Sequence, residues 1–231
     1  MTRYFLPVAV ALMLFVTVYV ADAQEKSVRP GINDNFKDPD LRRFLGTFEG
    51  ESREIFVKRK EIVAACKLKP GMAVADVGAG TGLFTRMFAK EVGESGKIYA
   101  VDIAEKFLKH IDVTSKEAGL KNIVTVQCKA DSSELKMDSV DLVFICDTYH
   151  HFEFPQKTLA TIQKALKRNG RLVLIDFHRI EGKSSDFVMG HVRAGQEVFE
   201  KEITNSGFKK VEQVDGILKE NYLVIFEKTS N

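Results

Sequence analysis

Short apolar runs, separated by longer stretches that mix apolar and charged residues, recur along the chain after residue 70. Five of these runs predict buried strands, at residues 72–77, 97–101, 123–128, 140–146 and 171–176. Two further runs, 209–213 and 222–226, are joined by only eight residues. Because a parallel crossover needs a longer connection, this pair predicts an antiparallel hairpin. The pattern predicts an α/β protein with seven strands.

The region before the first strand divides into two parts. Residues 51–68 carry an apolar stripe and predict an amphipathic helix that ends at Lys69-Pro70-Gly71. Residues 24–40 are polar and predict a linker. We therefore expect a linker and N-terminal extension at residues 24–49 and the folded domain at residues 50–231.

A glycine-rich turn follows the first strand, with Gly78, Gly80 and Gly82 before a helix-like run that begins at Leu83. Glycine permits positive φ and lets the backbone approach a ligand without a Cβ in the way. Such a turn at the carboxyl end of a strand is typical of a nucleotide-binding site. Asp76 lies inside the strand, where an ionised carboxylate needs a partner, and a positively charged ligand would supply one.

The spacing of the glycines excludes two phosphate-binding motifs. The dinucleotide fingerprint requires a glycine at the position of Leu83. The P-loop requires a lysine directly after its last glycine, whereas the next lysine here is Lys90. What remains, Asp-x-Gly-x-Gly-x-Gly, resembles motif I of the class I S-adenosylmethionine-dependent methyltransferases, whose ligand carries no phosphate. The alternative is a tight turn in an unrelated α/β protein.

Further matches extend this resemblance over roughly residues 51–228. Asp102 ends the second strand, where nucleotide-binding units place an acid that accepts ribose hydroxyls. Asp131 follows the third strand, where the family places an acid against the adenine amino group, and Asp147 follows the fourth. The resemblance implies a Rossmann-like, doubly wound sheet, mostly parallel with an antiparallel last strand, and S-adenosyl-L-methionine as the cofactor. It implies these cofactor-binding residues: Asp76, Gly78, Ala79, Gly80, Gly82, Asp102, Ile103, Asp131 and Asp147.

Residues after the fourth and fifth strands are the candidates for the acceptor side of the site. Methyl transfer needs a nucleophile in line with the sulfonium methyl, and a general base only where the acceptor arrives protonated. Histidine titrates near neutrality and suits that role. The candidate catalytic residues are Tyr149, His150 and His151, and the candidate substrate-binding residues are His178, His191 and Arg193.

Each of these candidates has an alternative interpretation. One histidine of the His150-His151 pair can cap local backbone, and His178 and His191 can be surface residues. Arg193 can bind a substrate carboxylate or be a solvated charge. The insertion between residues 177 and 193 contains glycines and serines, and we interpret it as a lid over the acceptor pocket.

Composition narrows the possible partners. The net charge of +2 gives no reason to expect a nucleic-acid partner, which would normally need a clustered basic face. Cys66, Cys128 and Cys146 are widely spaced and predict neither a disulfide framework nor a zinc site. The histidines also lack a ligand-spaced pair, so the sequence predicts no metal.

Residues 1–23 predict export. A short positive region at Arg3 precedes an apolar run at residues 5–20, and Ala21-Asp22-Ala23 fits a signal peptidase site that leaves Gln24 as the first mature residue. Sixteen residues are few for a membrane-spanning helix of about 20. The alternative is an uncleaved anchor, which would associate the protein with a membrane through residues 5–20. Either location lies away from the site of S-adenosylmethionine synthesis.

The predicted function is S-adenosylmethionine-dependent methyl transfer to a small-molecule acceptor. The chain most resembles the methyltransferases of ubiquinone and menaquinone biosynthesis, whose turn before the fifth strand appears here at residues 166–170. The sequence departs from these relatives at Tyr149 and across residues 178–193, which leaves the acceptor and the methylated atom open. The oligomeric state is also open. An exported binding protein that keeps the fold and the cofactor pocket without catalysis is the alternative function.

Overall fold

The computed structural model describes residues 24–229, which form a seven-stranded sheet in the order β3-β2-β1-β4-β5-β7-β6. β7 pairs antiparallel with both of its neighbours, and every other pair in the sheet is parallel. This confirms the predicted α/β class, the mostly parallel sheet and the antiparallel insertion of the last strand. The strands are β1 (Ala73–Val77), β2 (Lys97–Asp102), β3 (Ile123–Gln127), β4 (Val140–Cys146), β5 (Leu166–Phe177), β6 (Phe208–Gln213) and β7 (Asn221–Lys228).

Helices cover both faces of the sheet, and each face has its own apolar cluster. Val143 and Leu172 belong to the cluster on one face, and Leu142 and Val173 to the cluster on the other. Because central parallel strands are buried on both faces, they appear in the sequence as continuous apolar runs. The helices are α1 (Leu41–Phe48), α2 (Glu54–Val57), α3 (Arg59–Ala65), α4 (Leu83–Val92), α5 (Glu105–Glu117), α6 (Pro155–Ala165), α7 (Asp186–His191) and α8 (Gln196–Asn205).

The prediction of one continuous helix at residues 51–68 is wrong. It is two short helices, α2 and α3, which meet at Lys58, where φ is −93° and ψ is 12°. The carbonyl of Phe56 beside the break accepts a hydrogen bond of 2.6 Å from the Arg59 guanidinium. That bond satisfies a backbone group that a continuous helix would satisfy itself.

The predicted turn before the fifth strand lies inside β5. Val140 pairs with Leu166 and Leu142 pairs with Arg171, so residues 167–170 bulge out of the ladder. Asn169 in this bulge has a φ of +63°, which asparagine tolerates better than most residues.

Residues 24–48, predicted as a linker and extension, pack against the folded domain, and we call them the cover segment. Asp40 caps α1 by accepting hydrogen bonds from the backbone of Arg42 and Arg43 at 3.0 and 3.3 Å. Near the start of the segment, the backbone N–H of Val28 donates to Glu153 at 2.9 Å. The cover segment is therefore packed on the domain with its polar residues partly exposed to solvent, and it is not a free linker.

The predicted export segment, residues 1–23, lies outside the described residues. Within residues 24–229, no helix is long and apolar enough to cross a membrane.

Candidate active site

A cavity of about 690 Å³ opens where the strands β1, β2 and β4 end. β1 ends at Val77, β2 ends at Asp102, and Asp147 directly follows β4. All three residues line the cavity. β1 and β4 are neighbours in the sheet, and the chain continues from β1 toward one edge (β2, β3) and from β4 toward the other (β5). Open α/β sheets bind their ligands at this switch point, beyond the carboxyl ends of the strands.

The glycine turn forms one part of the cavity wall. Gly78 and Gly80 line the cavity, with φ values of +78° and +53°. A Cβ on Gly78 would lie 2.2 Å from the Thr148 methyl group, and a Cβ on Gly80 would lie 3.3 Å from the Phe48 ring. At Gly78 both the backbone conformation and the close neighbour require glycine, whereas at Gly80 the positive φ favours glycine and the Phe48 ring would have to shift by a few tenths of an ångström.

Asp102 fixes this turn to the neighbouring strand. Its carboxylate accepts a hydrogen bond of 2.8 Å from the Gly80 backbone and another of 2.8 Å from the Ala104 backbone. Burial raises the pKa of Asp102 to about 6, although these hydrogen bonds favour the ionised form. A carboxylate has about four lone-pair positions, so two remain for a ligand. We call Gly78, Gly80, Asp102 and Ile103, which also lines the cavity, the glycine wall.

Asp76 does not line the cavity. It lies behind the glycine turn, where its carboxylate accepts a hydrogen bond of 2.6 Å from the Thr85 hydroxyl. Burial raises its pKa to about 7. The predicted direct contact with a positively charged ligand is replaced in the structure by this internal partner, because the strand points the side chain under the turn.

Three other predicted cofactor residues also lie off the cavity wall. Ala79 packs against a small apolar cluster, and Gly82 lies so close to Ile111 that a Cβ would be 2.6 Å from it. Asp131 is half exposed and lies 3.9 Å from the Lys157 ammonium, while its neighbour Ala130 does line the cavity. Residue spacing alone does not tell which of the predicted cofactor residues face the cavity.

Asp147 lines the cavity in an unusual conformation, with a φ of +47°. Its carboxylate accepts hydrogen bonds from the Arg53 guanidinium at 2.5 Å and from the Asn221 amide at 2.6 Å. Burial raises its pKa, against the opposing effect of Arg53. Sequence reasoning missed Arg53, which lines the cavity from a point far away in the chain.

His150, His151 and His191 meet at the cavity and form what we call the histidine wall. His150 and His151 belong to a 3-10 turn (Tyr149–His151) after β4, and His191 ends α7. The Nε2 atoms of His151 and His191 lie 3.1 Å apart, and His150 Nδ1 lies 2.8 Å from the fully buried Asp176 carboxylate. Burial lowers the pKa of His151 to about 2 and also lowers the pKa of His191.

The other three acceptor candidates do not line the cavity. Arg193 forms a bidentate ion pair with Glu202 at 2.6 and 2.8 Å, and the Tyr149 hydroxyl donates to the same carboxylate at 2.9 Å. The guanidinium lies over the Phe199 ring. His178 packs beside Tyr222. Glu202 occupies the fork of Arg193, and the Arg193 side chain is only 9% exposed. The structure therefore favours neither a substrate carboxylate at this guanidinium nor a solvated charge.

The cover segment closes the cavity with aromatic rings. Phe36, Phe44 and Phe48 pack on one another and on Phe107 of α5, with ring centroids 5.1 to 6.3 Å apart. The edge of Phe36 also contacts His151 at a centroid distance of 5.1 Å. Three phenylalanines among the many polar residues of this segment were the signal that the sequence offered for this role.

Arg29 ties the cover segment to the insertion after β5. Its guanidinium donates to the backbone carbonyls of His191 at 2.6 Å and Gly190 at 2.7 Å. Phe187 of the same insertion lines the cavity and stacks on His191. The insertion and the cover segment therefore meet beside the histidine wall.

The sheet order, the glycine turn and the buried Asp102 together define a class I S-adenosylmethionine-dependent methyltransferase. The methyltransferase-domain family model matches residues 68–229, and the chain belongs to this family. Its cofactor is S-adenosylmethionine. The residues present fit that group, since Gly78 and Gly80 leave a cradle without side chains and Asp102 offers free lone pairs at the cavity.

Comparisons with known proteins support this assignment. The chain is 29% identical over 118 residues to the ubiquinone/menaquinone biosynthesis C-methyltransferase of Bordetella parapertussis, a match that covers 51% of this chain and 45% of the relative. It is 31% identical over 134 residues to the protein of the same name from Pseudoalteromonas translucida. This match covers 56% of this chain and 53% of the relative. The chain thus spans about half the length of these curated relatives.

The fold also matches solved structures. A SAM dependent methyltransferase from Aquifex aeolicus aligns with a TM-score of 0.72 at 25% sequence identity, over 83% of this chain and 100% of that one.

Proposed function

We propose that the protein transfers the methyl group of S-adenosylmethionine to a small-molecule acceptor bound against the histidine wall. The observation that carries this proposal is that the glycine wall and the histidine wall line one cavity. Bound S-adenosylmethionine supplies an electrophilic methyl group on a sulfonium sulfur. The cover segment and the insertion contribute residues to the lining of this cavity, and a cavity that holds both reactants suits a displacement that depends on the alignment of the reacting atoms.

The acceptor that best fits this cavity is a flat, apolar molecule with an ionisable group. Phe36, Phe44 and Phe187 give its cover an aromatic lining, and the three histidines provide the polar contacts. The acceptor O–H or S–H bond breaks at the histidine wall and its proton passes to solvent water, while the electron pair left on the acceptor forms the new bond to the methyl carbon. The C–S bond breaks as its electron pair goes to sulfur. Phenols, hydroquinones and aromatic thiols have this chemistry. The named relatives are C-methyltransferases of quinone biosynthesis, so from them we take only the quinone-like ring and not the methylated atom.

Turnover distinguishes this proposal from the alternative of a binding protein without catalysis. The purified protein is titrated with S-adenosylhomocysteine in a calorimeter and then incubated with methyl-labelled S-adenosylmethionine and a panel of phenols, hydroquinones and thiols. We expect binding near one equivalent and label transfer to one class of acceptor. Binding without transfer to any acceptor would favour the binding protein, and no binding would contradict both.

We also propose that the protein is exported and begins at Gln24. Support comes from the sequence pattern of residues 1–23. The Gln24 side chain also contacts the domain, since its amide donates to the Glu153 carbonyl at 3.2 Å. N-terminal sequencing of protein from its native host tests this: Gln24 supports release, Met1 in a membrane fraction supports an anchor, and Met1 in the cytoplasm contradicts both.

A further inference from the structure

The histidine wall has the form of a metal site. One ring nitrogen from each of His150, His151 and His191 lies within 4.8 Å of the others. A tetrahedral zinc ion with Zn–N bonds of about 2.0–2.1 Å holds its nitrogen ligands about 3.4 Å apart. The 3.1 Å between Nε2 of His151 and Nε2 of His191 is already close to that edge length. A shift of at most about 1.5 Å brings the third nitrogen to the same ion.

The surroundings of His150 match those of a metal-binding histidine. Its Nδ1 lies 2.8 Å from Asp176, a carboxylate that is fully buried and is also bound by the backbone N–H of His150 at 3.1 Å. Metal-bound histidines commonly donate their second ring N–H to a carboxylate, which fixes the tautomer and makes the other nitrogen a stronger ligand. Nε2 of His150 is therefore the nitrogen left to bind an ion.

The neighbouring rings hold the other two histidines in place. Phe36 contacts His151 edge-on, and Phe187 stacks on His191 with centroids 5.0 Å apart. All three histidines line the cavity, so an ion bound among them faces the acceptor space. The linear spacing of the histidines predicts no metal because two elements distant in the sequence, the 3-10 turn and α7, supply the ligands.

We propose that His150, His151 and His191 bind one divalent transition-metal ion, with zinc as the preferred ion, and that the ion has an open coordination position toward the cavity. Three imidazole ligands with one open position is the arrangement of a catalytic rather than a structural zinc site. Metal binding does not depend on the proposed methyl transfer, but its role there rests on that proposal. An acceptor hydroxyl or thiol that coordinates the ion releases its proton to water, and the bound anion is the nucleophile.

Zinc binding to the chelator-treated protein tests the proposal. The protein is dialysed against a chelator, freed of it, and titrated with zinc chloride against a competing indicator. Cobalt chloride serves as a second probe, because its visible absorption reports nitrogen ligands and coordination number. We expect one equivalent of zinc per chain, and an affinity at least about tenfold weaker in His191→Gln. His110→Gln, which removes a histidine from α5 outside the cavity, is the matched control and should bind zinc as the native protein does.

Two further measurements separate the possible failures. Circular dichroism and S-adenosylhomocysteine binding establish that His191→Gln is folded and keeps its cofactor cavity. If the native protein binds the cofactor product but no zinc, or if His191→Gln binds zinc as tightly as the native protein, the metal site is contradicted and the proposed function stands. If zinc binds but the cofactor product does not, the proposed function fails and the metal site stands.

Discussion

The glycine wall and the histidine wall of the cavity are built in different ways. The glycine wall comes from one strand, one turn and the end of the adjacent strand, and backbone hydrogen bonds fix it, such as that from Gly78 to the Val101 carbonyl at 2.8 Å. The histidine wall depends on side chains from the 3-10 turn after β4 and from α7, with Phe36 of the cover segment packed against them. A local motif can therefore specify the glycine wall, whereas only the folded chain assembles the histidine wall.

The family match places its boundary elsewhere. Residues 68–229 contain both walls but leave out the cover segment and Arg53. The cavity is thus completed by residues that are not part of the shared domain. We expect substitutions in the glycine wall to leave a ligand at the histidine wall largely unaffected, and the reverse.

The largest effect should come from Gly80→Val in the glycine wall. Valine at a φ of +53° is strained by about 1–3 kcal/mol, and its branched side chain would occupy the space before Phe48. We expect S-adenosylhomocysteine binding to fall by about 100-fold or more. Gly119→Val has a similar φ of +70° with open space around it, so it controls for backbone strain. Retained binding in Gly80→Val would make the turn purely structural.

The next largest effect should come from Asp102→Ala. Loss of a hydrogen-bonding charge costs about 1.5–3 kcal/mol, or about 10- to 150-fold in S-adenosylhomocysteine affinity by calorimetry. Both carboxylate oxygens accept backbone hydrogen bonds, so the amide nitrogen of Asp102→Asn would face a backbone donor. Asparagine should therefore weaken binding nearly as much as alanine. Asp215→Ala, at an exposed position, is the control, and an unchanged affinity in Asp102→Ala would remove the assigned cofactor site.

How much the sequence predicts depends on whether the signal is local. The strands and the glycine turn were predicted within a few residues, because apolar runs and glycine spacing depend on neighbours in the chain. The pairing of Arg53 with Asp147 and of Arg193 with Glu202 could not be predicted, since each depends on how separate elements pack. The cover segment was missed because its polar surface hides a few inward-facing phenylalanines.

A smaller effect should appear in the pH dependence of stability. The pKa of Asp76 rises from 3.8 to about 7 on burial. The folded state is therefore most stable relative to the unfolded state below about pH 4, where Asp76 is protonated in both, and this stability is lost as the pH rises through about 7. Asp76→Asn cannot titrate and keeps an acceptor for Thr85. We expect the free energy of unfolding of the ligand-free native protein to decline relative to that of Asp76→Asn by on the order of 1 kcal/mol per pH unit between pH 4 and 7. Parallel curves from urea unfolding would contradict a raised pKa.

The smallest effect should come from the contact between the cover segment and the insertion. Arg29→Ala removes two hydrogen bonds to the carbonyls of Gly190 and His191, which should raise the rate of tryptic cleavage at Lys183 by about twofold to tenfold. S-adenosylhomocysteine should slow the cut in the native protein if the insertion is a lid. Arg42→Ala, on the exposed side of α1, is the control. Because Arg29 contacts neither Gly80 nor Asp102, its substitution should leave cofactor affinity unchanged, and a large loss of that affinity would show that the two walls are coupled.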